Sequence, residues 1–183
     1  MTRPTILVAG IGNIFLGDDA FGSEVARRLS LRQWPDEVKV VDFGIRGLDL
    51  AYALLDPCDV TILVDATPHG GDPGTVYTIE PDLEEFSQEA GGQNLLDAHG
   101  MNPVNVLKMV QSMGGAFKRI LLVGCEPQSL GGDEGSMEMS PPVLAAVDKA
   151  VEVVEKLVAD ILQTGTLRKT APQEAETIAA IER

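Results

Sequence analysis

The sequence predicts an α/β fold, a three-layer α/β/α sandwich around a five-stranded, mostly parallel sheet that contains one antiparallel strand. Short runs of apolar residues alternate with stretches in which apolar residues recur every three or four positions. This alternation is typical of buried strands joined by amphipathic helices, and such connections are right-handed and give a largely parallel sheet. One link between strands is too short for a crossover, which predicts the antiparallel strand.

Length and charge restrict the class of protein. A chain of 183 residues suits a single domain with a full core, which we place at residues 1–163, followed by a polar, flexible tail at 164–183. The net charge of −14 predicts a surface that repels nucleic acid and anionic membranes. No apolar run is long enough to span a bilayer, and the first strand begins too early to leave room for a signal peptide. We therefore expect a cytoplasmic monomer.

The cysteines exclude two kinds of site. Cys58 and Cys125 are the only two cysteines, and they lie far apart in the sequence without Cys-x-x-Cys spacing. This pattern argues against a disulfide framework and against a thiolate zinc site.

The first strand–turn–helix unit is the most informative stretch. The apolar run at 6–9 predicts a buried strand, and a helix is predicted by three apolar residues four positions apart, namely Phe21, Val25 and Leu29. Between them lies the sequence Gly-Ile-Gly-Asn-Ile-Phe-Leu-Gly-Asp-Asp at 10–19. We expect Asp18 to cap the helix and Asp19 to lie in its first turn, where the helix dipole favours the charged carboxylate.

The same turn partly matches a dinucleotide-binding loop. In that motif Gly-x-Gly-x-x-Gly runs into a helix whose free amides hold a pyrophosphate. Gly10 and Gly12 fit the motif, but Phe15 occupies the third glycine position, and the two acids at the helix start would repel a phosphate. The residues favour an anionic ligand site over a phosphate site, with a non-hydrolytic nucleotide- or cofactor-binding module as the alternative.

The middle of the chain continues the alternation. Residues 38–43 and 60–64 are predicted strands, and a short helix at 48–55 is expected to place Leu48, Ala51 and Leu55 on one side. The β-branched residues at 75–79 follow the short link that requires an antiparallel strand, which we place toward one edge of the sheet. The acidic segment at 81–96 is expected to form a short helix near 83–86 and then a loop.

Two further helices flank the last strand. Asn102-Pro103 is typical of a helix start, and the helix that follows is marked by Val106, Leu107, Val110 and Met113 and stopped by Gly114-Gly115. Residues 120–124 are the last predicted strand, followed by a glycine-rich loop at 131–139. A long helix opens at Ser140-Pro141, and its predicted core seam is Leu144, Val147, Val151, Val154, Val158 and Ile161.

Acidic residues collect at the carboxyl ends of the predicted strands, where open α/β sheets bind ligands. They are Asp19, Asp42, Asp65 and Glu126. His99, in a loop before a helix, is expected to reach the same edge. Two carboxylates and an imidazole form a suitable ligand set for a divalent transition metal with open positions for substrate. His69, alone in a glycine-rich loop, is expected to be a solvated turn residue.

Five landmarks resemble those of the hydrogenase maturation endopeptidases, in the same order and over residues 4–162. They are Gly10-x-Gly12-Asn13-x-x-x-x-Asp18-Asp19-x-x-Gly22, Asp42-x-Gly44-x-x-Gly47, Val64-Asp65-Ala66, Asp97-x-His99-Gly100 and Val123-Gly124-x-x-Pro127. The set is specific, although each landmark alone is weak.

The resemblance implies an α/β endopeptidase that removes the carboxyl-terminal extension of a nickel–iron hydrogenase large-subunit precursor. It implies that nickel is supplied in the substrate precursor, that no organic cofactor is needed, and that Asp19, Asp65 and His99 read the metal and act in catalysis. Further candidate substrate contacts at the same edge are Asp42, Gly44, Arg46, Gly47 and Glu126. An assembly chaperone of the same fold, which binds the precursor without cutting it, is the alternative.

Overall fold

The computed structural model describes residues 3–56, 58–83, 103–130 and 137–165. Its five-stranded sheet has the order β2-β1-β3-β5-β4. The strands are β1 Ile6–Ile11, β2 Val38–Gly44, β3 Val60–Ala66, β4 Val76–Ile79 and β5 Ile120–Cys125. All neighbours pair in parallel except β4, which lies antiparallel to β5 at one edge. The predicted mixed sheet and its antiparallel edge strand are confirmed.

Helices cover both faces of this sheet. The described helices are α1 Phe21–Ser30, α2 Gly47–Leu55, α3 Pro103–Ser112 and α4 Pro141–Thr164. Helices α1 and α4 pack on one face in a common buried cluster, and α2 and α3 pack on the other. The arrangement is the predicted three-layer sandwich. In the part of the chain that the structure describes, no helix is long and apolar enough to cross a membrane.

The central strands explain the unbroken apolar runs. Along β1, Ile6 and Val8 face the α1–α4 layer, whereas Leu7 and Ala9 face the α2–α3 layer. Every residue of β1 and of β3 is buried. A strand with helices on both faces has no solvent side, so its sequence shows no polar alternation.

The structure corrects the predicted placement of three helix residues. Leu48 is 55% exposed and Leu144 is 48% exposed, whereas Leu50 and Val143 are fully buried. Spacings of three and four fit adjacent residues equally well, so periodicity does not determine which of two neighbouring apolar residues faces the sheet. Met113, predicted to belong to the helix, follows its last residue, Ser112, and is exposed.

Some predicted segments lie wholly or largely outside the described residues. These are the short helix near 83–86, most of the acidic segment at 81–96, most of the loop at 131–139, Asn102, and the tail beyond residue 165. Helix α4 itself ends at Thr164.

The amino-terminal turn of α1 lies against the backbone of two strands. A Cβ atom on Gly22 would lie 2.1 Å from the carbonyl oxygens of both Ile11 and Val64, and one on Gly10 would lie 2.4 Å from the Cβ of Ala26. A side chain at either position would push α1 off the sheet. The two glycines therefore bring the start of α1 to the carboxyl ends of β1 and β3.

We predict that Gly22→Ala lowers the free energy of unfolding by about 1 to 3 kcal/mol, because the added methyl meets two carbonyl oxygens that cannot move independently. In an ordinary helix the same change raises stability by up to about 1 kcal/mol, so the sign is diagnostic. Urea denaturation measures it. Gly71→Ala is the control, since the nearest atoms to its Cβ lie at 3.8 Å. A stabilised Gly22→Ala variant would contradict the close packing described above.

Candidate active site

Two acidic side chains lie at the carboxyl edge of the sheet. Asp19 lies in a 3-10 turn at Gly17–Ala20, directly before α1, and is half-buried. Its Oδ2 accepts a hydrogen bond of 3.0 Å from the amide of Asn13. Asp65, the penultimate residue of β3, is 6% exposed and accepts a hydrogen bond of 3.1 Å from the Thr67 hydroxyl. The charge of Asp19 acts on Asp65, so the two carboxyl groups are close enough to interact electrostatically.

Burial controls the protonation of this pair. It raises the pKa of Asp65 to about 7, the hydrogen bonds from Thr67 and Ala66 counteract this, and the charge of Asp19 adds to it. Burial also raises the pKa of Asp19, against the hydrogen bond from Asn13. The expectation that a helix dipole would favour the charged form of Asp19 is wrong. The residue precedes the α-helix, and the loss of hydration on burial raises its pKa more than the one hydrogen bond from the Asn13 amide lowers it. Perturbed acids of this kind are typical of functional sites.

The predicted capping role of Asp18 is also wrong. The residue that caps α1 is Ala20, which makes no side-chain hydrogen bond. The carboxylate of Asp18, 2% exposed, instead accepts hydrogen bonds from the amides of Gln128 (2.8 Å), Ser129 (3.1 Å) and Ser140 (2.6 Å), and from the Ser140 hydroxyl (3.0 Å). Burial acts to raise the pKa of Asp18, but these hydrogen bonds outweigh it and hold the pKa below 3.8. Asp18 thus ties the segment after β5 and the start of α4 to the turn that carries Asp19.

Glu126 is a buried structural acid in this structure. It is 7% exposed, and its Oε2 accepts hydrogen bonds from the amides of His69 (2.6 Å) and Gly71 (3.2 Å). The carboxylate therefore holds the loop that follows β3. The imidazole of His69 is exposed, as predicted, but it stacks on Tyr77 with ring centroids 5.0 Å apart. Contact of Glu126 with a substrate stays a prediction.

The segment after β2 forms the neighbouring part of the edge. Asp42 is exposed and accepts a hydrogen bond of 2.9 Å from the amide of Gly44, whose φ is +55°. The guanidinium of Arg46 bonds the carbonyl oxygen of Phe43 at 3.1 Å, and Gly47 is the first residue of α2. Substrate contact at Asp42, Gly44, Arg46 and Gly47 stays a prediction.

The third predicted ligand, His99, lies outside the described residues. Within 3–56, 58–83, 103–130 and 137–165 no group of three His, Cys, Asp or Glu side chains could hold a metal ion. The described residues therefore supply two of the three predicted ligands, Asp19 and Asp65.

The turn after β1 is poorly suited to a pyrophosphate. The amide of Gly12 donates to the carbonyl oxygen of Gly44 at 3.0 Å, and the amide of Asn13 donates to Asp19. A Cβ on Gly12 would lie 1.9 Å from the Asp19 carbonyl oxygen. The glycine is therefore needed so that the backbone at Gly12 can lie against the backbone of the turn that carries Asp19. The amides that a dinucleotide would need already have acceptors.

Sequence reasoning missed two features of this edge. Thr67 bonds Asp65, and its position two residues after the acid carries no distinctive signal. The other feature is a set of exposed apolar side chains in the turn after β1, at Ile14, Phe15 and Leu16. Three consecutive apolar residues in a glycine-bounded turn were a usable signal, because turn residues are ordinarily polar.

Comparisons with known proteins agree on one family. A family model described as hydrogenase maturation protease matches residues 23–157. A putative hydrogenase maturation protease of Methanocaldococcus jannaschii is 31% identical, over 84% of this chain and 96% of its own length. A hydrogenase expression/formation protein of Azotobacter vinelandii is 29% identical, over 98% of this chain and 83% of its own.

Solved structures give the same answer. The chain is similar to a hydrogenase 2 maturation peptidase from a Thaumarchaeota archaeon, with a TM-score of 0.64 and 33% identity over 85% of this chain and 98% of that one. It is also similar to a hydrogenase maturating endopeptidase from E. coli, with a TM-score of 0.65 and 28% identity over 88% and 94% of the two chains.

We predict that Asp65→Asn is more stable than the wild type at pH 8, by roughly 1 to 4 kcal/mol. Asp65 titrates near 7 in the folded protein but near 3.8 when unfolded. As the pH rises from about 4 to about 7, only the unfolded state loses this proton, so the wild type loses stability over that range. The amide has no such dependence and keeps an acceptor for Thr67. Denaturant titrations at pH 5 and pH 8 measure the difference in free energy of unfolding between the variant and the wild type. The same difference at both pH values would contradict the prediction.

We predict that Asp18→Asn lowers the free energy of unfolding at pH 7 by about 2 to 3 kcal/mol, because the new amide presents donors to a site that already holds four donors. The folded pKa lies below 3.8, so the stabilisation by the carboxylate is present above that pH and is lost as the pH falls through the folded pKa. Asp36→Asn, at an exposed position before β2, is the matched control. Equal stability of both variants at pH 7 would show that the Asp18 hydrogen bonds contribute nothing.

Proposed function

Because the chain belongs to the hydrogenase maturation protease family, we propose that it is the endopeptidase that removes the carboxyl-terminal extension of a nickel–iron hydrogenase large-subunit precursor after nickel insertion. The observation that carries the proposal is the Asp19–Asp65 pair at the carboxyl edge of the sheet. The setting that we propose is the cytoplasm, with the precursor as the partner and no organic cofactor.

The nickel is part of the substrate in this proposal. The precursor brings the ion, and Asp19, Asp65 and His99 offer it two carboxylates and an imidazole, which are suitable ligands for a divalent transition metal. The burial of Asp65 supports the assignment. A buried carboxylate is costly to ionise alone, and a cation placed beside it removes that cost. The site should therefore bind a nickel-loaded precursor more tightly than an empty one.

Two chemical roles are open to the ion. It can polarise the scissile carbonyl or activate a water as a Lewis acid. Alternatively it positions the extension, and a water activated by a carboxylate cuts the peptide. The raised pKa of Asp65 suits a general base, since such a group works best when its pKa is near the operating pH. In both roles the protein must hold Asp19 and Asp65 in place before the precursor arrives.

We predict that Asp65→Asn and His99→Ala leave the co-expressed precursor uncut, with at least a hundredfold loss of processing rate, because each removes a ligand of the ion. Mass spectrometry of the large subunit measures the loss of the extension. Asp36→Asn is the control and should process normally.

The Asp65→Asn test is sharp because that variant is expected to gain stability, so that a loss of activity is not a loss of folding. Normal trimming by both Asp65→Asn and His99→Ala would refute the proposal. Wild-type protein that binds the nickel-loaded precursor and never shortens it would support the assembly chaperone instead.

A further inference from the structure

An apolar surface lies beside the candidate active site. It consists of six exposed side chains on two segments, Ile14, Phe15 and Leu16 after β1, and Ile45, Leu48 and Tyr52 after β2. Five of the six are more than half exposed, from 55% to 63%. Strands β1 and β2 are parallel neighbours, and the Gly12 amide joins their carboxyl ends by donating to the Gly44 carbonyl at 3.0 Å. The two segments therefore leave the sheet side by side.

The turn that carries this surface is held in place by the candidate site. The Asn13 side-chain oxygen accepts a hydrogen bond of 3.0 Å from the Phe15 amide, and the Asn13 carbonyl accepts one of 3.1 Å from Leu16. The amide of Asn13 donates to Asp19 itself. These bonds fix a turn whose apolar side chains point to solvent, where they add nothing to the core. Exposed apolar side chains grouped at one end of a sheet mark interaction sites.

The charges around the surface are acidic. Arg46 lies 3.5 Å from Asp49 and also donates to the carbonyl oxygens of Phe43 and Asp42, so its charge is paired within this segment. Asp42 is exposed and forms no ion pair with any described Lys or Arg, and Asp19 accepts a hydrogen bond from the Asn13 amide, at the start of the apolar turn. The border therefore has a negative charge that a partner must complement.

We propose that this surface is the docking site for a segment of the hydrogenase precursor polypeptide that carries apolar side chains beside a basic one. The proposal rests on the proposed function. It assigns binding of the polypeptide to residues other than the proposed metal ligands. Charge complementarity selects this occupant. A second copy of this chain would bring a net charge of −14 against an acidic border, whereas a basic segment is attracted to it.

The test compares Phe15→Ser and Ile45→Ser with Leu31→Ser. Leu31 is 75% exposed but follows the carboxyl end of α1, at the end of the sheet opposite the candidate active site. The probe is the purified, nickel-loaded large-subunit precursor. Its Kd is measured by biolayer interferometry, and the cleavage rate is measured at saturating precursor. All three variants change exposed side chains, so their melting temperatures should stay near that of the wild type.

We expect Phe15→Ser and Ile45→Ser each to raise the Kd about tenfold, with a saturated cleavage rate within about twofold of the wild type, and Leu31→Ser to change neither. The Kd should also rise with added salt, because the acidic border contributes. Equal Kd values for all three variants would overturn the docking proposal, while cleavage by the wild type would leave the proposed function standing.

Two further outcomes are decisive. If the wild type binds the precursor without cutting it, the proposed function fails and the Kd values still judge the docking site. If sedimentation shows a wild-type dimer that Phe15→Ser converts to a monomer, a second copy of the chain occupies the surface and the docking proposal is wrong.

Discussion

The close approach of α1 to the sheet is the constraint on which the rest of the structure depends. With no side chain at Gly22, the first turn of the helix lies against the carbonyl oxygens of Ile11 and Val64. That contact fixes the 3-10 turn ahead of α1 at the junction of β1 and β3, where Asp65 is the penultimate residue of its strand. A helix displaced by the width of a methyl group would carry Asp19 away from Asp65. The geometry of the acid pair is thus a consequence of backbone packing.

Two adjacent acids in that turn have opposite environments. Successive residues of a 3-10 turn point about 120° apart, so Asp18 and Asp19 face different neighbours. Asp18 receives four hydrogen bonds, and its pKa falls; Asp19 receives one from Asn13, and its pKa rises. The number of hydrogen-bond donors distinguishes the two acids. The carboxylate of Asp18 is fully hydrogen-bonded within the protein, whereas that of Asp19 would be stabilised further by a ligand.

The sequence predicted what depends on periodicity and chain order. Buried strands, the antiparallel edge strand and the position of Asp19 and Asp65 at the carboxyl ends of β1 and β3 follow from apolar runs, link length and the geometry of parallel sheets. Hydrogen-bond partners distant in sequence could not be predicted. The carboxylate of Asp18 bonds residues 110 to 122 positions away, and that of Glu126 bonds a loop 55 and 57 positions away. Rules that use only neighbouring residues therefore predicted that Asp18 caps a helix and that Glu126 belongs to the group of acids at the ligand-binding edge of the sheet.

The burial of Asp65 links stability to recognition. A carboxyl group whose pKa is raised by burial makes the folded protein less stable at neutral pH than an uncharged residue would. The same free energy becomes available to any partner that places positive charge beside Asp65, and it is unavailable to a partner that lacks such charge. Under the proposed function, a precursor without its ion would leave this buried acid uncompensated. Selectivity for the loaded precursor can thus arise from the low polarity of the site, before any bond is broken.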